Sequence, residues 1–251
     1  MIRVEKLSFS YGKKKVLHDV SFQIKEGEIT TILGQNGCGK STMFNLMTKN
    51  LKGNQGSITF CEKEIQGYKL REFSRLVACV NQYNIVPEAL TVSELVAYGR
   101  LPYCCTKEAS HDEEYINMAL EATKLTELKN ELVTNLSGGQ MQRVWIAMAI
   151  AQNTKILFLD EPTTYLDVKY QIELLRLIKS LKEKYQLTVV MILHDINQAV
   201  HYSDQIVALK EGRVAYCGKP EGFTKKEIMK EVYGIELDVI MEDGRRQVVT
   251  V

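Results

Sequence analysis

The residues best suited to chemistry are a lysine and a serine closing a glycine-rich turn, two adjacent carboxylates ending an apolar run, and a histidine ending another. The turn, Gly34-Gln35-Asn36-Gly37-Cys38-Gly39-Lys40-Ser41-Thr42, meets the full G-x-x-x-x-G-K-[ST] pattern. Glycines there let successive backbone N–H groups point into one concavity, and a following helix adds its positive end. Lys40 then reaches the β- and γ-phosphates of a nucleotide, and the Ser41 hydroxyl is placed to ligate Mg²⁺. A chance lysine in a glycine turn is the weaker explanation.

The carboxylates are Asp160 and Glu161, at the end of Lys155-Ile156-Leu157-Phe158-Leu159. Asp160 at a strand tip can hold Mg²⁺ through water, and Glu161 can orient or deprotonate an attacking water. As strand neighbours the two are expected to point to opposite sides and to have separate roles. His194 follows Val189-Val190-Met191-Ile192-Leu193 and is a candidate γ-phosphate sensor. Leu136-Ser137-Gly138-Gly139-Gln140 opens an apolar helix and reads as a second anion site or as a plain N-cap. Tyr11, just after a strand, either stacks on a purine base or packs locally.

Strands must deliver these groups to one edge. Glu28 to Leu33 is β-branched and apolar, as a buried parallel strand should be, while Thr42 to Met47 repeats at helical spacing. Ile2 to Phe9 and Val20 to Ile24 alternate as antiparallel strands around the turn Tyr11 to Lys15. Gly56 to Cys61 is a short strand, and Leu76 to Val80 a core strand that leaves Gln82 at its C-terminal end, where ligands of open α/β sheets gather.

From about Val86 to Leu136 the pattern turns helical, with Val92 to Gly99 and Glu113 to Leu128 carrying apolar stripes. Between them Arg100-Leu101-Pro102-Tyr103-Cys104-Cys105 is expected to break the helix and expose apolar groups, a candidate docking surface. Gln205 to Leu209, Gly212 and Arg213 to Tyr216 form a hairpin-like end, followed by a polar helix near Lys225 to Tyr233. The tail beyond it carries no functional reading. These patterns predict an α/β fold: a mostly parallel sheet, an antiparallel N-terminal β subdomain and an inserted helical subdomain. In segments, 1–85 and 137–216 form the nucleotide-binding core, 86–136 the helical subdomain and 217–251 a C-terminal extension.

The chain has 251 residues, 45% hydrophobic and 25% charged, with a formal net charge of +1. That is one ordinary globular domain with room for a subdomain, and no bulk field for nucleic acid or an anionic membrane. No run approaches the ~20 apolar residues of a membrane span, and Met1 to Lys6 is no signal peptide. A cytosolic location is expected. Six cysteines show neither C-x-x-C spacing nor histidine pairing, so free thiols are expected. Cys38 in the loop is a place where an alkylating reagent would block nucleotide.

With the phosphate loop, Gln82, Leu136 to Gln140, Asp160-Glu161 and His194 in order, the sequence resembles the ATP-binding cassette (ABC) transporter ATPases over nearly its whole length. The resemblance implies a RecA-like P-loop core, ATP and Mg²⁺ as cofactors, and hydrolysis in a head-to-tail dimer. It implies that Tyr11 stacks on adenine, that Gln82 links Mg²⁺ and the attacking water to a membrane partner, and that Asp167 belongs to a loop communicating across the dimer. By the same resemblance His194 contacts the γ-phosphate, and Glu161 is the catalytic carboxylate. The signature Ser137, Gly138, Gly139 and Gln140 faces the partner's nucleotide.

Thr163-Thr164-Tyr165, Arg143 to Ala149 and Tyr98 to Tyr103 look like the motors of bacterial ferric siderophore importers; haem and vitamin B12 importers are similar. Asn81, where proline is frequent, and Met141, where a polar residue is common, depart from the family pattern without removing a reactive group. The implied partners are integral membrane permease subunits docked through the helical subdomain and the Gln82 region, a second copy of the chain and, indirectly, an extracytoplasmic binding protein. Nucleic acid is not among them. The implied place is the cytoplasmic face of the membrane.

Overall fold

The computed structural model describes residues 1–85, 88–242 and 245–249. Val86, the expected start of the helical insertion, and Pro87 lie outside the described residues, as do 243–244 and 250–251 of the C-terminal segment. In chain order the elements run β1 (Ile2–Tyr11), β2 (Lys14–Ile24), β3 (Ile29–Gly34), α1 (Lys40–Met47), β4 (Gln55–Phe60) and β5 (Lys63–Glu64). Then come α2 (Leu70–Ser74), β6 (Val77–Val80), α3 (Val92–Ala97), α4 (Asp112–Ala122), α5 (Gly138–Ala151), β7 (Ile156–Asp160) and α6 (Val168–Tyr185). The chain closes with β8 (Thr188–Ile192), α7 (Ile196–Tyr202), β9 (Gln205–Lys210), β10 (Arg213–Gly218), α8 (Pro220–Phe223), α9 (Lys226–Tyr233), β11 (Asp238–Glu242) and β12 (Arg245–Val249).

These elements form two compact units, one of Met1–Tyr68 with Thr188–Val251 and one of Lys69–Leu187. In the first, β2, β1, β4 and β5 make an antiparallel sheet in that order. β3 lies between β8 and β9, parallel to both, and β10 closes the edge antiparallel to β9. Such a central strand is covered on both faces, so it reads as a continuous apolar run; Ile32, Leu33, Val189 to Ile192 and Ile206 to Leu209 are all buried. The register Ile32 to Ile192 sends the phosphate loop and Leu193-His194 out of the same edge of the sheet. Lys14 and Lys15 belong to β2, not to the expected turn, because β1 runs on to pair Tyr11 with Lys14.

In the second unit β6 and β7 pair in parallel, with Val80 opposite Leu159, so Gln82 and Asp160-Glu161 also leave one shared edge. Ser137 caps α5 through a reciprocal box with Gln140, which satisfies two N–H groups of the helix entrance. The apolar character of α5 is used: Val144, Ile146, Ala147 and Ala151 are fully buried. α6 buries Leu174, Leu175, Ile178 and Leu181 on one face and ends on left-handed Gln186, with Lys182 and Lys184 in its negative last turn.

Two helical expectations need correction. The helix expected from Glu113 to Leu128 ends at Ala122, where Thr123 turns its hydroxyl back to the Ala119 carbonyl, and only a 3-10 turn follows at Thr126–Leu128. The expected open loop from Arg100 continues α3 instead as a 3-10 helix, Tyr98–Tyr103. Arg100 is only 3% exposed: it bonds the Asp112 carboxylate and the Ala151 carbonyl and lies between the rings of Tyr103 and Tyr115. Leu101 remains 63% exposed, so the apolar surface narrows to that side chain and its neighbours. α2, α6, α7 and the β11–β12 hairpin are additions to the elements expected from sequence.

Candidate functional site

The phosphate loop is built by backbone geometry. Gly34 has φ +144°, and a Cβ there would meet the Leu209 carbonyl oxygen at 2.2 Å and Cys38 Sγ at 2.6 Å, so only glycine fits. Gly39, at the head of α1, has φ +107°. The Gly212 N–H donates to the Cys38 carbonyl (3.0 Å), tying the loop to the β9–β10 turn. Lys40 is 5% exposed, and its Nζ donates to the carbonyls of Gly34 (2.8 Å) and Gln35 (3.1 Å). An ammonium has three protons, so these bonds aim it along the loop with one donor to spare. Ser41 is exposed and Thr42 buried at the start of α1, where the first N–H groups of a helix lack partners within it.

Asn36 and Gly37 are exposed at the loop tip. Gln35 is not idle there: its Nε2 donates to the Tyr233 carbonyl at 2.6 Å, tethering the loop to the end of α9. That contact gives the C-terminal segment a role which its sequence did not suggest. Cys38 is buried, which pushes its thiol pKa up against the pull of the Lys40 ammonium. All six cysteines are free. Tyr11 is half exposed and meets Phe9 edge to face at 4.8 Å between centroids, leaving much of its ring open. His194 and Asp195 stand exposed after β8, and Asp195 caps α7 through the Gln198 N–H.

The second unit gathers the carboxylate group. Gln82 Nε2 donates to Glu161 Oε2 at 2.6 Å, and Thr164 Oγ1 donates to the same oxygen at 3.2 Å. The expectation that Asp160 and Glu161 alternate along a strand fails locally: β7 ends at Asp160, and Glu161 has φ +49° in left-handed backbone. Below them Cys79 is pushed up to about 12 by burial and by the Asp160 charge. Tyr165, also left-handed at φ +65°, places its hydroxyl 3.0 Å from that of Tyr83.

Asp167 stands at the N-cap position of α6 without a side-chain cap hydrogen bond, and Gln171 holds the approach to that helix through the Thr163 and Leu166 carbonyls. Ser137 and Gly138 are exposed at the head of α5, and the Tyr170 ring lies where a Cβ on Gly139 would come within 3.2 Å. Sequence reasoning passed over Thr164, Tyr83 and Tyr233 as site residues. The first two had a signal in standing three residues from Glu161 and one from Gln82; Tyr233 had none, since it acts through its carbonyl.

Phosphate-cradling glycines, a buried lysine and strand-end carboxylates on parallel strands define a P-loop ATPase. The chain belongs to the ABC transporter family, whose pattern matches residues 17–164, and it is an ATP hydrolase of that family. It is 39% identical over 241 residues to the petrobactin import ATP-binding protein FpuC of Bacillus anthracis, covering 95% of this chain and 89% of the relative. The ferric enterobactin transport ATP-binding protein FepC of Escherichia coli is 39% identical over 241 residues with the same coverage. Among solved structures, an inward-facing putative metal-chelate type ABC transporter aligns with a TM-score of 0.83 and 29% identity, over 98% of this chain and 95% of that one. The cassette MJ0796, dimeric in a post-hydrolysis state with ADP and Pi, aligns at 0.74 and 30%, over 88% and 99%.

Proposed function

We propose that the chain is the ATP-binding subunit of an importer for a ferric siderophore or related iron chelate, working as a head-to-tail dimer at the cytoplasmic face of the membrane. The observation that carries the reading is the set of relatives aligned almost end to end, FpuC and FepC, whose names give siderophore import. No helix among the described residues is long and apolar enough to cross a membrane, so the reading calls for separate permease subunits. They dock on the helical segment 86–136, where Leu101 is exposed, and near Gln82.

The phosphate loop, Gly34 to Thr42, holds the nucleotide, with Lys40 on the β- and γ-phosphates and Tyr11 against the adenine. Mg²⁺ suits the donors present, since the Ser41 hydroxyl, the Asp160 carboxylate and the Gln82 amide oxygen are hard oxygens; when bound it neutralises charge on the β- and γ-oxygens. Glu161 orients the attacking water through its carboxylate, whose Oε2 accepts from Gln82 and Thr164. His194 donates to the γ-phosphate. Ser137, Gly138, Gly139 and Gln140 act on the partner subunit's nucleotide, with Asp167 carrying the signal between sites.

The test is uptake of labelled ferric siderophore in a strain lacking the gene, with and without the wild-type chain restored. Loss of iron-chelate uptake is expected. Normal iron uptake with failed haem or cobalamin uptake would move the chain to those importers. Dimer geometry is tested by mixing a Lys40→Ala/Glu161→Gln subunit with a Ser137→Arg subunit in the presence of permease. Each protein alone is inactive, and the mixture recovers hydrolysis because one complete site forms per heterodimer. A wild-type rate from Ser137→Arg alone would confine the site to one chain.

A further inference from the structure

The helical part of the second unit carries a pair of groups that ATP hydrolysis does not use. Cys104 and Cys105 are adjacent, both exposed, and their sulfurs lie 3.5 Å apart. Neighbouring side chains on extended backbone point apart; here Cys105 has φ +63°, and the left-handed turn brings the two sulfurs to one side. The backbone leading into the pair is anchored. Arg71 Nε and Arg75 Nε both donate to the Pro102 carbonyl, at 2.9 and 3.0 Å, and Tyr103 lies against the Arg100 guanidinium. On the far side Thr106 Oγ1 donates to the Tyr103 carbonyl at 2.7 Å.

The spacing favours a bridging atom over a direct sulfur–sulfur bond. Disulfides join residues whose Cα atoms are usually about 4.4–6.8 Å apart, and sequence neighbours stand at about 3.8 Å. By contrast, two sulfurs bonded at about 2.3 Å to one pyramidal three-coordinate centre, at an angle of about 100°, are about 3.5 Å apart, the spacing found here. A zinc-like ion would need four ligands, yet among the described residues no group of three or more His, Cys, Asp or Glu is placed to hold a metal. What remains is a thiophilic centre satisfied by two sulfurs and a substituent of its own.

We propose that Cys104 and Cys105 form a bidentate dithiol site for an organic trivalent arsenical. The exchange is balanced without an oxidant: two S–H bonds break, two As–S bonds form, and the arsenoxide oxygen leaves as water with both thiol protons. Arsenic stays trivalent and both sulfurs keep their oxidation state. Attack proceeds through the thiolate, a form that the hydrogen bond with Cys105 disfavours at Cys104 by raising its pKa and that Arg71 favours.

The test treats the full chain with phenylarsine oxide, removes the excess, challenges with a large excess of glutathione and reads intact mass. One adduct per chain is expected to survive the monothiol and to leave on addition of dimercaptopropanol. Cys104→Ser and Cys105→Ser each lose the adduct on the order of 10²-fold faster, because one sulfur no longer holds the arsenic while the other exchanges. Cys61→Ser, at an exposed single thiol, keeps it. Unchanged circular dichroism of the variants shows that the fold is intact. An adduct that persists in Cys104→Ser, or a wild-type adduct that glutathione strips as fast as it does in Cys104→Ser, overturns the assignment.

Discussion

On the proposed function, the phosphate loop and the segment from Asp160 to Asp167 each present charge to a phosphate, and they are built by opposite means. The loop uses backbone: glycines at positive φ, a buried lysine aimed by two carbonyls, and a tie to the β9–β10 turn. The carboxylate segment uses side chains: Glu161 is held by Gln82 and Thr164, and its neighbour Tyr165, 80% exposed, meets a similarly exposed Tyr83. A backbone cradle resists rearrangement, while a cluster of side-chain hydrogen bonds on left-handed residues can exchange partners at small cost. On the proposed function, the first suits a group that binds in every cycle, the second a group whose hydrogen bonds change as water arrives.

That contrast is broken hardest at Lys40. Lys40→Ala removes the lysine that the loop carbonyls aim, and hydrolysis should fall on the order of 10³-fold or more, as for loss of a charge-stabilising donor, with weaker nucleotide binding. Turnover and nucleotide affinity are the measurements, and unchanged turnover would dismiss the loop assignment. Next comes Glu161→Gln, which keeps the hydrogen-bonding shape but not the charge. A drop of about 10²–10⁴-fold in kcat is expected, with ATP affinity retained. Equal losses in affinity and rate would mean that Glu161 builds the site instead of orienting water.

The backbone half is tested at Gly34. Gly34→Ala must place a Cβ where the Leu209 carbonyl oxygen lies 2.2 Å away, at a φ that alanine avoids. A destabilisation of about 1–3 kcal/mol or more is expected, read by denaturant unfolding, together with weaker nucleotide binding. Gly138→Ala makes the contrast, since nothing lies within 4 Å of where its methyl group would sit and it should unfold normally.

Motif and strand-end placement were legible in the sequence because both follow from periodicity. An apolar run such as Val189 to Leu193 announces a buried parallel strand, and the residue after it must emerge at the sheet edge. The signature helix was legible for the same reason, its cap being a local pattern from Ser137 to Gln140. What failed were features set by contacts far along the chain. Arg100 reads as a loop residue until Asp112 and two tyrosine rings enclose it. The left-handed turn at Glu161 has no marker in Leu-Asp-Glu-Pro, and the Gln35 tether uses a main-chain carbonyl of Tyr233 that any residue would supply.

The smallest expected effect sharpens the comparison most, because it touches only the side-chain half. Tyr83 and Tyr165 share one hydroxyl contact at 3.0 Å, their rings 6.4 Å apart, in the stretches that carry Gln82 and Glu161. The Gln82–Glu161 bond joins the same two stretches at 2.6 Å, so the tyrosines form a second rung beside it. Both rings are largely exposed, so loss of the contact should cost little stability, at the low end of the ~0.5–1.5 kcal/mol of a hydrogen bond. If that rung holds Glu161 in its bonded arrangement, Tyr83→Phe and Tyr165→Phe each shift kcat by about twofold to tenfold while leaving KM for ATP alone. The double variant should then equal either single one, since one contact can be lost only once. Additive effects would mean that each tyrosine acts through a separate partner, and the carboxylate segment would be no more adjustable than the phosphate loop.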